Sequence, residues 1–96
     1  MTLATALYGV GIKSIQAGTI TIAHATASNT ATISSVNTAK SFVIHNGVTT
    51  INNPGSGYTV DDWSFRVALT NATTVTATRG GSDQQIILAY TVVEYN

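Results

Sequence analysis

Histidine, aspartate, serine and asparagine are the side chains of this sequence that can do chemistry, and their spacing decides which chemistry is open to them. His24 and His45 can ligate a metal across neighbouring strands, but no acidic or thiol residue accompanies either one. Imidazoles at the surface or at a subunit interface are the alternative. Asp61 and Asp62 can bind calcium, yet the alternating acidic residues of a calcium loop are absent. Capping of the turn before Trp63 is the favoured interpretation.

The sequence contains the residue types of a hydrolytic triad and of a glycosylation site, but not the context that either one requires. Ser, His and Asp all occur, but there is no Gly-x-Ser-x-Gly elbow, and both histidines fall inside predicted strands. Asn71-Ala72-Thr73 matches a glycosylation acceptor, although it is expected to form a tight turn. The rings of Tyr8, Tyr58 and Trp63 can form a sugar-stacking platform, with a lid over the core as the alternative for Trp63. The residues predict no enzyme, no cofactor and no metal site.

The length and composition of the chain limit its domain number and its possible partners. Its 96 residues have the length of one domain, and only 8% of them are charged, with a formal net charge of +0. Lys13, Lys40, Arg66 and Arg79 are scattered, so no nucleic-acid partner is expected, because such a partner needs a clustered positive surface. No segment approaches the roughly 20 apolar residues of a membrane span, so no membrane insertion is expected. The absence of cysteine excludes disulfides and thiolate metal sites.

Short alternating runs separated by turn residues predict an all-β chain. The predicted strands are Ile12–Gln16, Thr19–His24, Thr30–Val36, Ser41–His45, Val48–Ile51, Trp63–Leu69, Thr73–Thr78 and Gln85–Tyr95. Asn46-Gly47 is the strongest turn signal, because both central residues of a type I′ turn need positive φ. We expect an antiparallel β-sandwich or small barrel of about seven to eight strands. Residues 1–11 would be an N-terminal arm, and residues 12–96 a single sandwich domain.

The final strand is apolar on both faces, which makes it the centre of the predicted fold. Since alternate residues point to opposite sides, one face carries Ile86, Leu88, Tyr90 and Val92, and the other carries Ile87, Ala89, Thr91, Val93 and Tyr95. The strand is about twice the usual length, so we expect it to project beyond its neighbours or to bend at a bulge near Ala89 or Thr91.

A second strand is expected to complete the core. Its apolar face, made by Trp63, Phe65, Val67 and Leu69, should meet the apolar side chains Ile86, Leu88 and Val92.

The second apolar face of the final strand and the low charge predict a homo-oligomer, with a trimer as the expected state. Leaving its large side chains in water would forgo about 1.5–3 kcal/mol for each. An N-terminal arm folded over that face is the alternative. The loop Asn52–Gly57 and residues 1–11 are also expected to carry partner contacts. The interface candidates are Ile87, Val93, Tyr95, Leu3, Leu7, Tyr8, Asn53, Pro54 and Tyr58.

Three stretches resemble small virion structural proteins of tailed bacteriophages. They are Ser14–Ile22, Val67–Arg79 and Tyr90–Tyr95, which together with their flanks span most of the chain. Such proteins are modules of head decorations, head fibres or tail fibres and are usually trimeric. Similar stretches carry a basic residue where Ala17 stands, so no contact is transferred to that position. The family brings no catalytic residues.

The resemblance implies a non-enzymatic virion protein assembled in the cytoplasm of a bacterial host. It would decorate or stabilise the capsid surface, or belong to a head fibre or tail, with capsid or tail proteins as partners. The alternative is a receptor-binding tail-fibre module that contacts a bacterial surface glycan.

Overall fold

The computed structural model describes residues 11–51, 64–82 and 84–96, which form a two-layered antiparallel β-sandwich. The strands are β1 (Ile12–Ile22), β2 (Ser28–Thr32), β3 (Ser41–Ile51), β4 (Phe65–Asn71), β5 (Thr74–Arg79) and β6 (Gln85–Tyr95). A 3-10 turn, Thr38–Lys40, precedes β3. Within these ranges no helix is long and apolar enough to cross a membrane. The all-β prediction is confirmed.

The six strands are divided between two sheets of different length. The long sheet has the order β1-β6-β3, and the short sheet has the order β2-β5-β4. The sheets do not close into a barrel, so the sandwich alternative is correct. β1 comes close to β2 at one side of the sandwich, and β3 comes close to β4 at the other. The central strands, β6 and β5, therefore face each other across the core.

The strand count of about seven to eight was wrong for the described residues, because two expected breaks lie inside continuous strands. Ala17 and Gly18 continue β1, where both pair with β6. Asn46 and Gly47 continue β3, so the segment after Gly47 runs onward instead of back. Gly47 has a φ of 132°, but Asn46 does not have the positive φ that a type I′ turn requires of it. Asn46 is instead the extra residue of a β-bulge.

β6 neither projects beyond its neighbours nor carries the expected bulge. β1, β3 and β6 each have 11 residues, and both neighbours pair with β6 along its length. The bulge near this point belongs to β3, where Asn46 lies opposite the step from Ala89 to Tyr90. An extra residue in the edge strand leaves the central strand regular on both sides.

The core lies between the sheets and follows the alternation of the sequence. Its buried hydrophobic residues are Ile20, Ile22, Ile33, Val36, Val75, Ala77, Ile86, Leu88, Tyr90 and Val92. Phe65, Val67 and Leu69 are half-buried and pack against this cluster, as predicted. Trp63, expected beside them, lies outside the described residues.

Two chain segments complete the short sheet. Asn71 closes the β4–β5 hairpin, as predicted, by accepting a hydrogen bond on Oδ1 from Thr73 N at 2.9 Å. After β2 ends, Ile33 N and Val36 N donate to the carbonyls of Thr73 and Ala72, both at 2.9 Å. This places the buried side chains of Ile33 and Val36 over one end of the core.

Candidate functional site

The face of the long sheet that points away from the core is the most unusual surface of the described residues. Its residues form four rows across β1, β6 and β3. The rows are Ile15–Val93–Phe42, Ala17–Thr91–Ile44, Thr19–Ala89–Gly47 and Thr21–Ile87–Thr49. Ile12 and Tyr95 extend it at the end nearest the C-terminus. We call this surface the outer face, and none of these residues is charged.

One half of the outer face is bulky and apolar. Phe42 is 48% exposed, Ile15 and Ile44 are each 46% exposed, and Tyr95 is 43% exposed. They surround the half-buried Val93 on the central strand, β6. Scattered exposed hydrophobic residues are ordinary in proteins, but a contiguous apolar group on one flat face is typical of an interaction surface.

The other half of the outer face is a shallow hollow made by small side chains. Thr19, Ala89 and Gly47 lie side by side across the three strands. They help to line a depression of about 360 Å³, together with Val48 and Thr49. Asn46, the bulged residue, donates through Nδ2 to Thr91 Oγ1 and so keeps its amide on this face. The outer face therefore has a raised apolar end and a lower, threonine-rich end.

Of the predicted interface residues, Ile87, Val93 and Tyr95 lie on the outer face. The remaining candidates, Leu3, Leu7, Tyr8, Asn53, Pro54 and Tyr58, lie outside the described residues, as does nearly all of the proposed arm 1–11. Sequence reasoning missed Ile15, Phe42 and Ile44 as surface residues. Their alternation was visible, but alternation alone does not tell which face of a strand is covered.

A buried carboxylate anchors the apolar end of the long sheet. Glu94 is 4% exposed and lies on the inner side of β6. Its Oε2 accepts from Asn37 N at 2.8 Å, and its Oε1 accepts from Ser14 Oγ at 3.1 Å. Lys13 Nζ lies 3.8 Å from Oε2. Glu94 thereby joins β1, β6 and the segment leading into β3, beside a polar pocket of about 260 Å³.

These contacts lower the pKa of Glu94. The largest cause is the hydrogen bond from the Asn37 backbone, and the Ser14 hydroxyl and the charges of Lys13 and Lys40 act in the same direction against the opposing effect of burial. A carboxyl whose pKa is lowered by folding stabilises the native state above its unfolded pKa. That contribution is lost as the pH falls through the folded-state pKa.

We therefore expect Glu94→Gln to destabilise the protein at neutral pH but not at strongly acidic pH. Glutamine keeps the shape and can accept from Asn37 N, but it lacks the charge that makes the hydrogen bonds stronger. The difference in unfolding free energy between the two proteins should shrink as the pH falls below about 4.3. Urea unfolding across this range measures it, and a difference that is independent of pH would contradict the role of the charge.

The two histidines lie at different places in the fold. His24 follows the end of β1 instead of lying inside a strand, because the chain turns there through Ala25, whose φ is 67°. His45 lies on β3, with its ring edge-on to Phe65 at a centroid distance of 5.2 Å. Among the described residues, no three His, Asp or Glu side chains group as metal ligands would. Asp61 and Asp62 lie outside them.

Arg79 shows that a positive charge in this chain can have a structural use. Its side chain is 4% exposed. Nη2 donates to the carbonyls of Thr26 at 2.9 Å and Ala23 at 3.2 Å, and Nε donates to Thr26 O at 3.2 Å. The guanidinium thereby holds the β1–β2 turn against β5, instead of contributing a positive charge to the surface.

The described geometry thus contains an uncharged outer face suited to binding another protein surface, and a carboxylate and a guanidinium that stabilise the fold. The chemistry of these residues alone supports this assignment. No protein-family model, curated protein or solved structure matches the chain.

Proposed function

We propose that this chain is a non-enzymatic structural module that self-associates as a homotrimer through the outer face of its long sheet. The observation that carries the proposal is the apolar half of that face, where Ile15, Phe42, Ile44 and Tyr95 are each more than 40% exposed. Burying such side chains yields about 1.5–3 kcal/mol for each that becomes fully covered. The absence of charge on the outer face removes the cost of desolvating ions.

The outer face offers a flat surface for contact between copies. A three-stranded sheet of this length is ~36 Å long and ~14 Å wide, which gives roughly 500 Å². A standard protein interface uses about 800 Å² from each partner. In a trimer the outer face is shared between two neighbours, so it supplies about a third of that area to each contact. Its side chains need little ordering because the sheet already holds them.

The likeness of Ser14–Ile22, Val67–Arg79 and Tyr90–Tyr95 to phage virion proteins gives this proposal its biological setting. In that setting the trimer decorates or stabilises a capsid surface, or forms part of a head fibre or tail. Its other partners are capsid or tail proteins, and assembly takes place in the bacterial cytoplasm. A module that works by packing against copies and neighbours needs no catalytic group.

The double substitution Phe42→Lys with Ile44→Lys should convert the protein to a folded monomer. Both side chains are exposed in the single chain, so the fold should tolerate the charges, but an interface would have to bury them unpaired. Light scattering at micromolar concentration should give a trimer for the unmodified chain and a monomer for the variant, with the same far-ultraviolet circular dichroism. Mass spectrometry of purified phage particles should detect the unmodified chain and much less of the variant.

The matched control is Thr30→Lys with Ala68→Lys. These exposed residues flank Thr76 on the outward side of the short sheet, so the same two charges are added away from the outer face. This variant should remain a trimer. An unmodified chain that is monomeric at micromolar concentration would overturn the proposal.

A further inference from the structure

We propose that the copies pack around an axis parallel to the strands, with the β3 side of one outer face against the β1 side of the next. This inference rests on the proposed self-association and specifies its contacts. A rotation about such an axis leaves every residue at the same height along the strands. Each row of one copy therefore meets the same row of its neighbour.

The order of side chains along the outer face favours this arrangement. The two rows nearest the C-terminus contain the large apolar residues of β3, Phe42 and Ile44. The two rows beyond them contain Thr19 and Thr21 on β1 and Thr49 on β3. With the axis parallel to the strands, apolar rows meet apolar rows and threonine rows meet threonine rows. Ile87, at the middle of the last row, is the one large apolar side chain that lies in a threonine row.

In the two middle rows, the residues that would meet also complement each other in size. The pairs formed, row by row, between β3 of one copy and β1 of the next are Phe42 with Ile15, Ile44 with Ala17, Gly47 with Thr19, and Thr49 with Thr21. The large Ile44 faces the small Ala17, and Gly47 leaves room for Thr19. Interdigitation of large and small side chains is how packed sheets fill the space between them.

A twofold axis that lies between two facing copies and runs perpendicular to the strands would give a poorer contact. Such an axis reverses the rows, so that with full overlap Phe42 would lie over the threonine end of the other copy. Overlapping only the apolar ends would leave half of the face uncovered. The axis parallel to the strands is the one that covers the whole face with like chemistry.

The width of the long sheet fits three copies. Seen along the axis, three sheets ~14 Å wide form a triangle in which each sheet lies ~4 Å from the axis. This distance is close to the ~5 Å that the side chains of each sheet occupy when two sheets pack face to face. The outward residues of β6, the middle strand, would lie nearest the axis, with the small Ala89 and Thr91 between Val93 and Ile87. A much wider sheet would leave a void along the axis.

Cysteine cross-linking tests the arrangement directly, because the chain has no cysteine of its own. We would introduce Ile15→Cys together with Phe42→Cys. Both residues pair with Val93 from opposite sides, so their Cα atoms are ~10 Å apart within one chain. A disulfide needs about 7 Å or less, so the two cannot join within one copy. After mild oxidation, non-reducing electrophoresis should show covalent trimers as the main product, and reduction should return monomers.

The control pair is Thr21→Cys with Phe42→Cys, which lie on the same face in different rows. Thr21 pairs with Ile87 and Phe42 with Val93, which separates the rows by ~20 Å. This pair should give no covalent oligomer. Ala17→Cys with Ile44→Cys, one row away from the first pair, repeats the test if the first variant fails to fold.

The outcomes separate the packing arrangement from the self-association itself. Light scattering of the unmodified chain reports whether the copies associate at all, and a monomer there overturns both proposals. Association with cross-links in the control pair, or in Phe42→Cys alone, overturns the parallel axis and leaves the self-association standing. Covalent dimers as the end product overturn the threefold axis.

Discussion

Leu88→Ala should lower the free energy of unfolding by about 2–5 kcal/mol, the usual cost of emptying a fully buried leucine site. Leu88 is fully buried at the middle of β6 and pairs with Ile20 and Val48 on its two sides. The strand is held by a neighbour on each side, so the backbone has little freedom to collapse into the cavity. Since a domain of this size has roughly 5–15 kcal/mol of stability in total, the variant should be close to unfolding.

The measurement should be made in the monomeric Phe42→Lys, Ile44→Lys protein, so that association does not add to stability. Ile87→Ala is the matched control, because Ile87 is the preceding residue of β6 and points to the opposite, half-exposed face. In urea unfolding, the loss caused by Ile87→Ala should be much smaller than that caused by Leu88→Ala. Equal losses would mean that the two faces of β6 are equally covered in the single chain, contrary to the assignment of an outer face.

Gly18→Ala should destabilise the fold by about 1–3 kcal/mol, the range for overfilling a packed core. Gly18 pairs with Tyr90, whose ring lies across the glycine. An added Cβ would lie 2.6 Å from the Tyr90 hydroxyl oxygen and 2.9 Å from Cζ. Tyr90 is buried, so its rigid ring can move only by disturbing its neighbours. Thermal unfolding should show a clear drop in Tm.

A double-mutant cycle identifies the cause of that drop. In a Tyr90→Leu background the ring is gone, so adding Gly18→Ala should cost much less than it does alone. Gly47→Ala provides the contrast, because no atom beyond the adjacent residues lies within 4 Å of its added Cβ, and its cost should come from a φ of 132°. That cost should be the same with and without Tyr90. An unchanged Gly18→Ala cost in the Tyr90→Leu background would contradict the steric explanation.

The chain's own residue pattern determined the strand class and much of the core. Alternating apolar residues placed Ile20 and Ile22, Val75 and Ala77, and the even-numbered side chains of β6 on common faces, and all of them are buried. Alternation is a local property of an extended backbone, so sequence alone can reveal it. The second apolar face of β6 and the low charge of the whole chain were equally visible, and they predicted a homo-oligomer.

Tertiary structure alone decided where strands continue and which faces remain open. Asn46-Gly47 and Ala17-Gly18 are good turn sequences, but pairing along the whole of β6 offers more hydrogen bonds than two early turns would, so both dipeptides lie within strands. Phe42 and Ile44 alternate like core residues, yet they point outward because the short sheet covers only one side of the long one. The contacts of the buried polar side chains depend on the same long-range pairing. Glu94 and Asn37 are 57 residues apart in sequence, and no local sequence pattern predicts their contact.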